Sequence, residues 1–127
     1  MPFSTMRALA VLLLLTIATA ATASPSNKWR LEFSGASHSA GEIVIEINPI
    51  GGEPLTVHIS VSDDTGENAV AKRVVEVLRQ ELPDDVYHIE RDDGEDVLIK
   101  KRHGAANFDL QVIFNSVKHV RVNVDRE

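Results

Sequence analysis

The sequence predicts a small α+β domain, with an antiparallel or mixed β-sheet of about six to seven strands and one helix packed on it. Most of the chain after residue 24 alternates apolar and polar side chains, which is the period of a half-buried strand. One stretch, residues 70–82, instead has the 3.6-residue period of a helix. Residues 24–127, the part of the chain expected to fold, suit one hydrophobic core and are too few for two.

The N-terminal segment, residues 1–23, is predicted to be a secretory signal peptide. Arg7 precedes an apolar run of about 11 residues, and Ala21-Thr22-Ala23 fits the small-x-small rule for cleavage before Ser24. The run is well short of the roughly 20 residues that a membrane-spanning helix needs. We therefore expect an exported protein without a membrane anchor, whose single α+β domain covers residues 24–127.

Three strands are predicted before the helix, over residues 29–33, 42–47 and 55–61. Each alternates apolar and polar side chains, as in EIVIEI, where isoleucine recurs at every second position. The polar side of the third strand carries threonine, histidine and serine, so we expect that face to contact water. The intervening segments SGASHSAG and NPIGGEP are rich in small residues, glycine and proline, which predicts turns.

The helix is predicted from an apolar stripe that ends at Pro83, whose nitrogen cannot donate to the helical ladder. The stripe consists of Val70, Val74, Val77, Leu78 and Leu82, with Ala71 and Val75 on its flank. Before it, DDTGEN places Glu67 three residues after Asp64, which is the spacing of a capping box. A calcium loop needs more oxygen ligands than this segment offers. We therefore expect Asp64 to cap the helix.

Four further strands are predicted, over residues 86–91, 95–101, 108–114 and 117–124. Asp93-Gly94 at the first connection predicts a tight hairpin turn, because these residues accept positive φ values.

The apolar side chains of the third of these strands, FDLQVIF, are expected to point inward together; they are Phe108, Leu110, Val112 and Phe114. Asn115-Ser116 permits a tight turn between the last two strands. The first strand or the last strand is expected to border the sheet. There, Lys118, Arg121 and Arg126 would limit indiscriminate pairing while leaving room for an acidic partner strand.

Charge and cysteine content exclude several function classes. The chain has 13 basic and 19 acidic residues, and loss of Arg7 with the signal peptide changes the net charge from −6 to −7. Such a charge argues against nucleic acid or an anionic membrane as the partner. The absence of cysteine excludes thiol catalysis, disulfides and cysteine-bound zinc, and it favours a bacterial periplasmic or secreted protein over a small eukaryotic secreted domain.

No catalytic, cofactor-binding or metal-binding residue is predicted. The five histidines, His38, His58, His88, His103 and His119, lack metal-ligand spacing, and ERDDGEDV is typical of a soluble hairpin tip. Ser34, Ser37 and Ser39 lie near His38, but no GxSxG motif is present. KKRH, at residues 100–103, is interpreted as a solvated strand end. Trp29 and Tyr87 are interpreted as core or rim residues.

One resemblance covers most of the exported chain. GASHSAGEIVIEINPIGGEPLTVHISVSDDTGENAVAKRVVEVL, followed by VLIKKRHGAANFDLQV, resembles the small β-α-β domain of phage tail sheath proteins in its glycine-containing opening, alternating strands and valine-rich helix. The resemblance implies an assembly-type fold and brings no functional residues. The predicted signal peptide departs from that family, whose members assemble in the cytoplasm.

The sequence thus favours an exported, non-enzymatic binding or protein-interaction module, whose partner is another protein that docks on a strand edge or on the polar sheet face. A small metal-dependent hydrolase is the alternative from another class, and it would use surface histidines with Asp92, Asp93 or Asp96. An inhibitor or immunity-type protein is a third hypothesis, which the sequence does not separate from the first.

Overall fold

The computed structural model describes residues 25–127, so the predicted signal peptide and its cleavage site lie outside the described residues. These residues form one domain of seven strands and one helix, in the predicted order. The elements are β1 (Lys28–Ser34), β2 (Gly41–Pro49), β3 (Leu55–Val61), α1 (Glu67–Glu81), β4 (Tyr87–Asp92), β5 (Asp96–Lys101), β6 (Phe108–Asn115) and β7 (Arg121–Arg126).

The strands form two antiparallel sheets and not the single sheet that the sequence suggested. One sheet has the order β4-β5-β1-β7 and the other has the order β3-β2-β6. The α+β class is therefore confirmed, with a second layer of strands added. The prediction that the first strand or the last strand borders a sheet is confirmed for the last, because β7 ends its sheet. The first strand, β1, is central, since it pairs with both β5 and β7.

The core lies between the inner faces of the two sheets and α1. The helix contacts β3 of one sheet and β1, β4 and β5 of the other. Its apolar stripe is buried as predicted, with Val70, Val74 and Leu78 fully inaccessible to solvent. Burial of each such side chain contributes about 1.5–3 kcal/mol to folding. The helix ends at Glu81, directly before Leu82-Pro83, which confirms the predicted stop.

The start of the helix differs from the prediction, because Asp64 does not cap it. Gly66 is the N-cap residue and, within the described part of the chain, no side chain completes the cap. Asp64 instead has a φ of 57°, which places it in the turn that precedes the helix. Glu67 does not reach back to the cap either; its carboxylate accepts a hydrogen bond from the backbone N–H of Gly35 at 3.2 Å.

This turn is held by Ser37, a fully buried residue from the β1–β2 connection. Its hydroxyl donates to the carbonyl oxygen of Ser62 at 2.6 Å and accepts from the N–H of Thr65 at 2.7 Å. Main-chain hydrogen bonds also join Ser37 to Asp64 and Thr65. A neighbouring loop thus satisfies backbone groups of the turn that precedes the helix.

The two predicted turns among the later strands have different outcomes. Asp93 and Gly94 both have positive φ, at 46° and 75°, in the connection of the β4–β5 hairpin, as predicted. The tight turn predicted at Asn115-Ser116 is wrong, because β6 and β7 belong to different sheets. The Asn115 side chain accepts from the N–H of Val117 and donates to the carbonyl of Val120, and this stabilises the crossing between the sheets.

Candidate partner-binding surface

A β-bulge in β6 determines which apolar side chains reach the surface of the three-stranded sheet. Ile45 of β2 pairs with Val112 of β6, but the next residue, Val44, pairs with Phe114. Ile113 is therefore an extra residue opposite Val44, and side chains beyond it change face relative to a regular strand. The prediction that Phe114 points inward is wrong for this reason, whereas Val112 does pack against the core.

The outer face of this sheet carries an exposed aromatic side chain. Val44 lies between two cross-strand neighbours, His58 of β3 and Phe114 of β6. Val44 is only 5% exposed, whereas Phe114 is 52% exposed and the adjacent Ile113 is 48% exposed. By the alternation of side chains along each strand, this outer face, which we call the Phe114 face, consists of Glu42, Val44, Glu46, Asn48, Thr56, His58, Ser60, Asp109, Gln111 and Phe114.

The Phe114 face is acidic and has no basic residue other than histidine. The strands β2, β3 and β6 contain no lysine or arginine. The carboxylate of Glu42 lies 2.9 Å from Nδ1 of His58, and Glu46 accepts a hydrogen bond from the amide of Asn48 at 2.8 Å. Asp109 accepts from the amide of Gln111 at 3.2 Å. Of these three carboxylates, Glu42 and Glu46 are partly exposed, whereas Asp109 is buried.

The four-stranded sheet, by contrast, pairs several of its acidic residues with arginine or lysine. The guanidinium of Arg30 contacts Asp92 at 3.2 Å and both Asp96 and Glu127 at 2.5 Å. These carboxylates raise the pKa of Arg30, and the hydrogen bond from Arg30 lowers the pKa of Glu127. In the same sheet, Glu90 pairs with Lys100 at 2.6 Å, and the hydrogen bond from Lys100 lowers the pKa of Glu90.

The residues of the alternative metal-dependent hydrolase are not brought together. Asp92 and Asp96 contact Arg30, and Asp93 lies in the hairpin turn. His58 and His88 lie on strands of different sheets, close to Glu42 and Glu90 respectively. In the part of the chain that the structure describes, no three His, Asp or Glu residues form a group that could hold a metal ion.

Two of the histidines meet each other, which the sequence did not indicate. The rings of His38 and His119 lie with their centroids 4.0 Å apart and their planes tilted by 37°, at the junction of the β1–β2 and β6–β7 connections. His103 is exposed.

The three serines near His38 do not form a catalytic arrangement. Among the interactions of residues 25–127, none of Ser34, Ser37 and Ser39 has the hydrogen bond to an imidazole that a catalytic serine needs.

Trp29 and Tyr87 are buried, in agreement with the prediction of core or rim residues. The indole N–H of Trp29 donates to the carbonyl of Phe108 at 2.8 Å, and the Tyr87 ring meets the Phe108 ring edge-on at 5.1 Å. Burial raises the pKa of the Tyr87 hydroxyl.

The basic cluster KKRH, at residues 100–103, forms ion pairs at the protein surface. Lys100 pairs with Glu90, and Arg102 pairs with Asp84.

A surface cavity of about 320 Å³ lies where the end of α1 meets β4. Its arginines are committed to structural hydrogen bonds: Arg79 donates to the carbonyl of Ile89 at 2.9 Å, and Arg102 donates to the backbone carbonyl of Asp84. His88 also lines the cavity, beside Glu90. The cavity therefore lacks a convergent set of free polar groups, and we do not assign a site to it.

The acidic character of the Phe114 face is indicated in the sequence by a long stretch without basic residues. After Arg30 the next lysine or arginine is Lys72, and the stretch between them contains seven acidic residues. Phe114 has no comparable signal, because its exposure depends on a bulge that is defined by pairing with β2.

Within residues 25–127, no helix has the length and apolar character needed to cross a membrane. Comparison of the chain with protein families, with curated proteins and with solved structures gave no match in any of the three. The resemblance to the phage tail sheath domain therefore stays a prediction from the sequence.

Proposed function

We propose that this chain is an exported, non-enzymatic protein-interaction module and that it binds its partner through the Phe114 face. The exposure of Phe114 is the observation that carries the proposal. An aromatic ring that is half exposed on a sheet, beside a second exposed apolar side chain, resembles the aromatic anchors that contribute most to protein interfaces.

The edge strand β7 is a less favourable docking site than the Phe114 face. Its outward-facing side chains, Arg121, Asn123 and Asp125, are polar, and Asn123 already donates a hydrogen bond to Asp125 at 2.9 Å. The alternation of strand hydrogen bonds also points the backbone groups of Arg121 toward β1, since Glu127 donates to Lys28 in the same register. A proline at Arg121 would therefore disturb the sheet itself.

Partner capture tests the proposal. The purified chain is immobilised, exposed to a periplasmic or culture-fluid fraction of its source cells, and the captured proteins are identified by mass spectrometry. Phe114→Ser should abolish capture of the partner. Ile50→Ser is the matched control, because Ile50 is 60% exposed but lies roughly 20 Å away along the sheet.

Both variants should remain folded at the temperature of the assay, since Ile50 and Phe114 are each more than half exposed. Equal capture by the wild type and Phe114→Ser would contradict the proposal. The identity of the captured protein also addresses the inhibitor or immunity-type hypothesis, because that hypothesis requires an enzyme whose activity falls on binding.

Export is a separate part of the proposal and has its own measurement. Mass spectrometry of the protein recovered from the periplasm or medium should show an N-terminus at Ser24 or within a few residues of it. Recovery of the chain with Met1 intact in a membrane fraction would contradict export and would favour an anchored protein.

A further inference from the structure

We propose that the partner of the Phe114 face is a cationic polypeptide segment that places basic side chains on either side of an apolar one. This inference rests on the proposed function and adds the chemistry of the partner to it. It follows from the unequal distribution of charge between the two sheets and from the spacing of Glu42, Val44 and Glu46 along β2.

The carboxylates of the Phe114 face need a cation if a partner is to cover them. Removing a carboxylate from water without a counter-charge costs several kcal/mol, so a neutral or acidic partner would be disfavoured at this surface. Asp92, Asp96 and Glu127 have such a counter-charge in Arg30. Glu42 instead contacts a histidine and Glu46 an amide, which leaves their charge available to an incoming lysine or arginine.

The spacing of these groups matches an extended segment. Glu42 and Glu46 lie two residues before and two residues after Val44, so side chains of all three project from the same face at intervals of about 6.8 Å. A partner strand with basic residues two positions on either side of an apolar residue repeats this interval. Its apolar side chain would then contact Phe114 and Val44 while its basic side chains reach the two carboxylates.

Peptide titration tests the inference directly. The probe is a short amidated peptide that alternates lysine with valine and phenylalanine, and the matched probe replaces each lysine by glutamate. Addition of the lysine peptide to the ¹⁵N-labelled protein should shift amide resonances of β2, β3 and β6 around Val44 and Phe114. The glutamate peptide should cause no shifts there at the same concentration, and added salt should weaken binding of the lysine peptide.

Charge-neutral variants then identify the carboxylates. The double variant Glu42→Gln/Glu46→Gln should weaken binding of the lysine peptide by about tenfold, as expected for the loss of two exposed ion pairs. The double variant Glu76→Gln/Glu81→Gln removes the same charge from the exposed side of α1 and should change the affinity by less than about twofold.

The outcomes separate this inference from the proposed function. Equal binding of the glutamate peptide, shifts located elsewhere, no shifts with the lysine peptide, or equal losses in the two double variants would overturn the cationic partner. If Phe114→Ser abolishes capture of the natural partner while Glu42→Gln/Glu46→Gln does not, the interaction surface stands and its proposed partner chemistry fails. If neither variant affects capture, both proposals fail.

Discussion

The hydroxyl of Ser37 joins two loops that are far apart in sequence, and its removal should reveal what positions the start of α1. Ser37→Ala keeps the side-chain volume nearly unchanged but deletes two short hydrogen bonds, to Ser62 and Thr65. Ser37 is fully buried and Thr65 is half-buried, so water has only partial access to the groups left behind. The substitution therefore isolates the polar contribution of this contact.

The expected loss in the free energy of unfolding follows from the two hydrogen-bond partners of the Ser37 hydroxyl. The N–H of Thr65 would lose its hydrogen bond, which costs about 1–3 kcal/mol for a donor that water does not fully re-solvate. The carbonyl of Ser62 keeps a second hydrogen bond from the Thr65 hydroxyl, so its loss is smaller, about 0.5–1 kcal/mol. We expect a total of about 1.5–4 kcal/mol, out of a domain stability of about 5–15 kcal/mol. At about 4 °C per kcal/mol, the melting temperature should fall by roughly 6–16 °C.

Urea and thermal unfolding, followed by far-ultraviolet circular dichroism, measure this effect. Ser60→Ala is the matched control, because Ser60 is exposed on β3 and its hydroxyl has no hydrogen bond within residues 25–127. The control should change stability by less than about 0.5 kcal/mol. A loss for Ser37→Ala as small as that of the control would refute the reasoning and would show that the main-chain hydrogen bonds of residue 37 suffice.

Three further predictions concern the core, the turn before the helix and the response to acid. Leu78→Ala should cost on the order of 2–5 kcal/mol in the same unfolding assay, because a fully buried side chain is lost and a cavity remains. Asp64→Gly should leave stability unchanged or slightly raised while Asp64→Ala lowers it by about 1 kcal/mol, because the φ of 57° suits glycine; a loss for both variants would indicate a role for the carboxylate. The lowered pKa of Glu127 stabilises the fold above the ordinary glutamate value of about 4.3, and this contribution is lost as the pH falls through the lowered value. Urea midpoints of Glu127→Gln should therefore decline less below about pH 5 than those of the wild type, and parallel curves would contradict the role of Arg30 at this carboxylate.

The sequence alone determined those features that depend on neighbouring residues. The stripe of Val70, Val74 and Leu78 specifies the helix and its buried side, because residues three and four apart share one face of a helix wherever it packs. Asp93-Gly94 specifies a hairpin turn, since the positive φ values are a local property of these residues. The strand positions followed from alternation in the same way, and all seven strands are present, although the last begins at Arg121 and not at Val117.

Tertiary structure decided which strands pair, and this in turn decided the candidate site. Alternation predicts that a strand has two different faces but not which strands pair with it. The division into two sheets and the central position of β1 could therefore not be predicted from the sequence. The side chain that satisfies the turn before α1 comes from Ser37, at a distance in sequence that no capping rule covers. Phe114 is the clearest case: its own strand predicts an inward side chain, and only the extra residue opposite Val44 turns the ring to the surface.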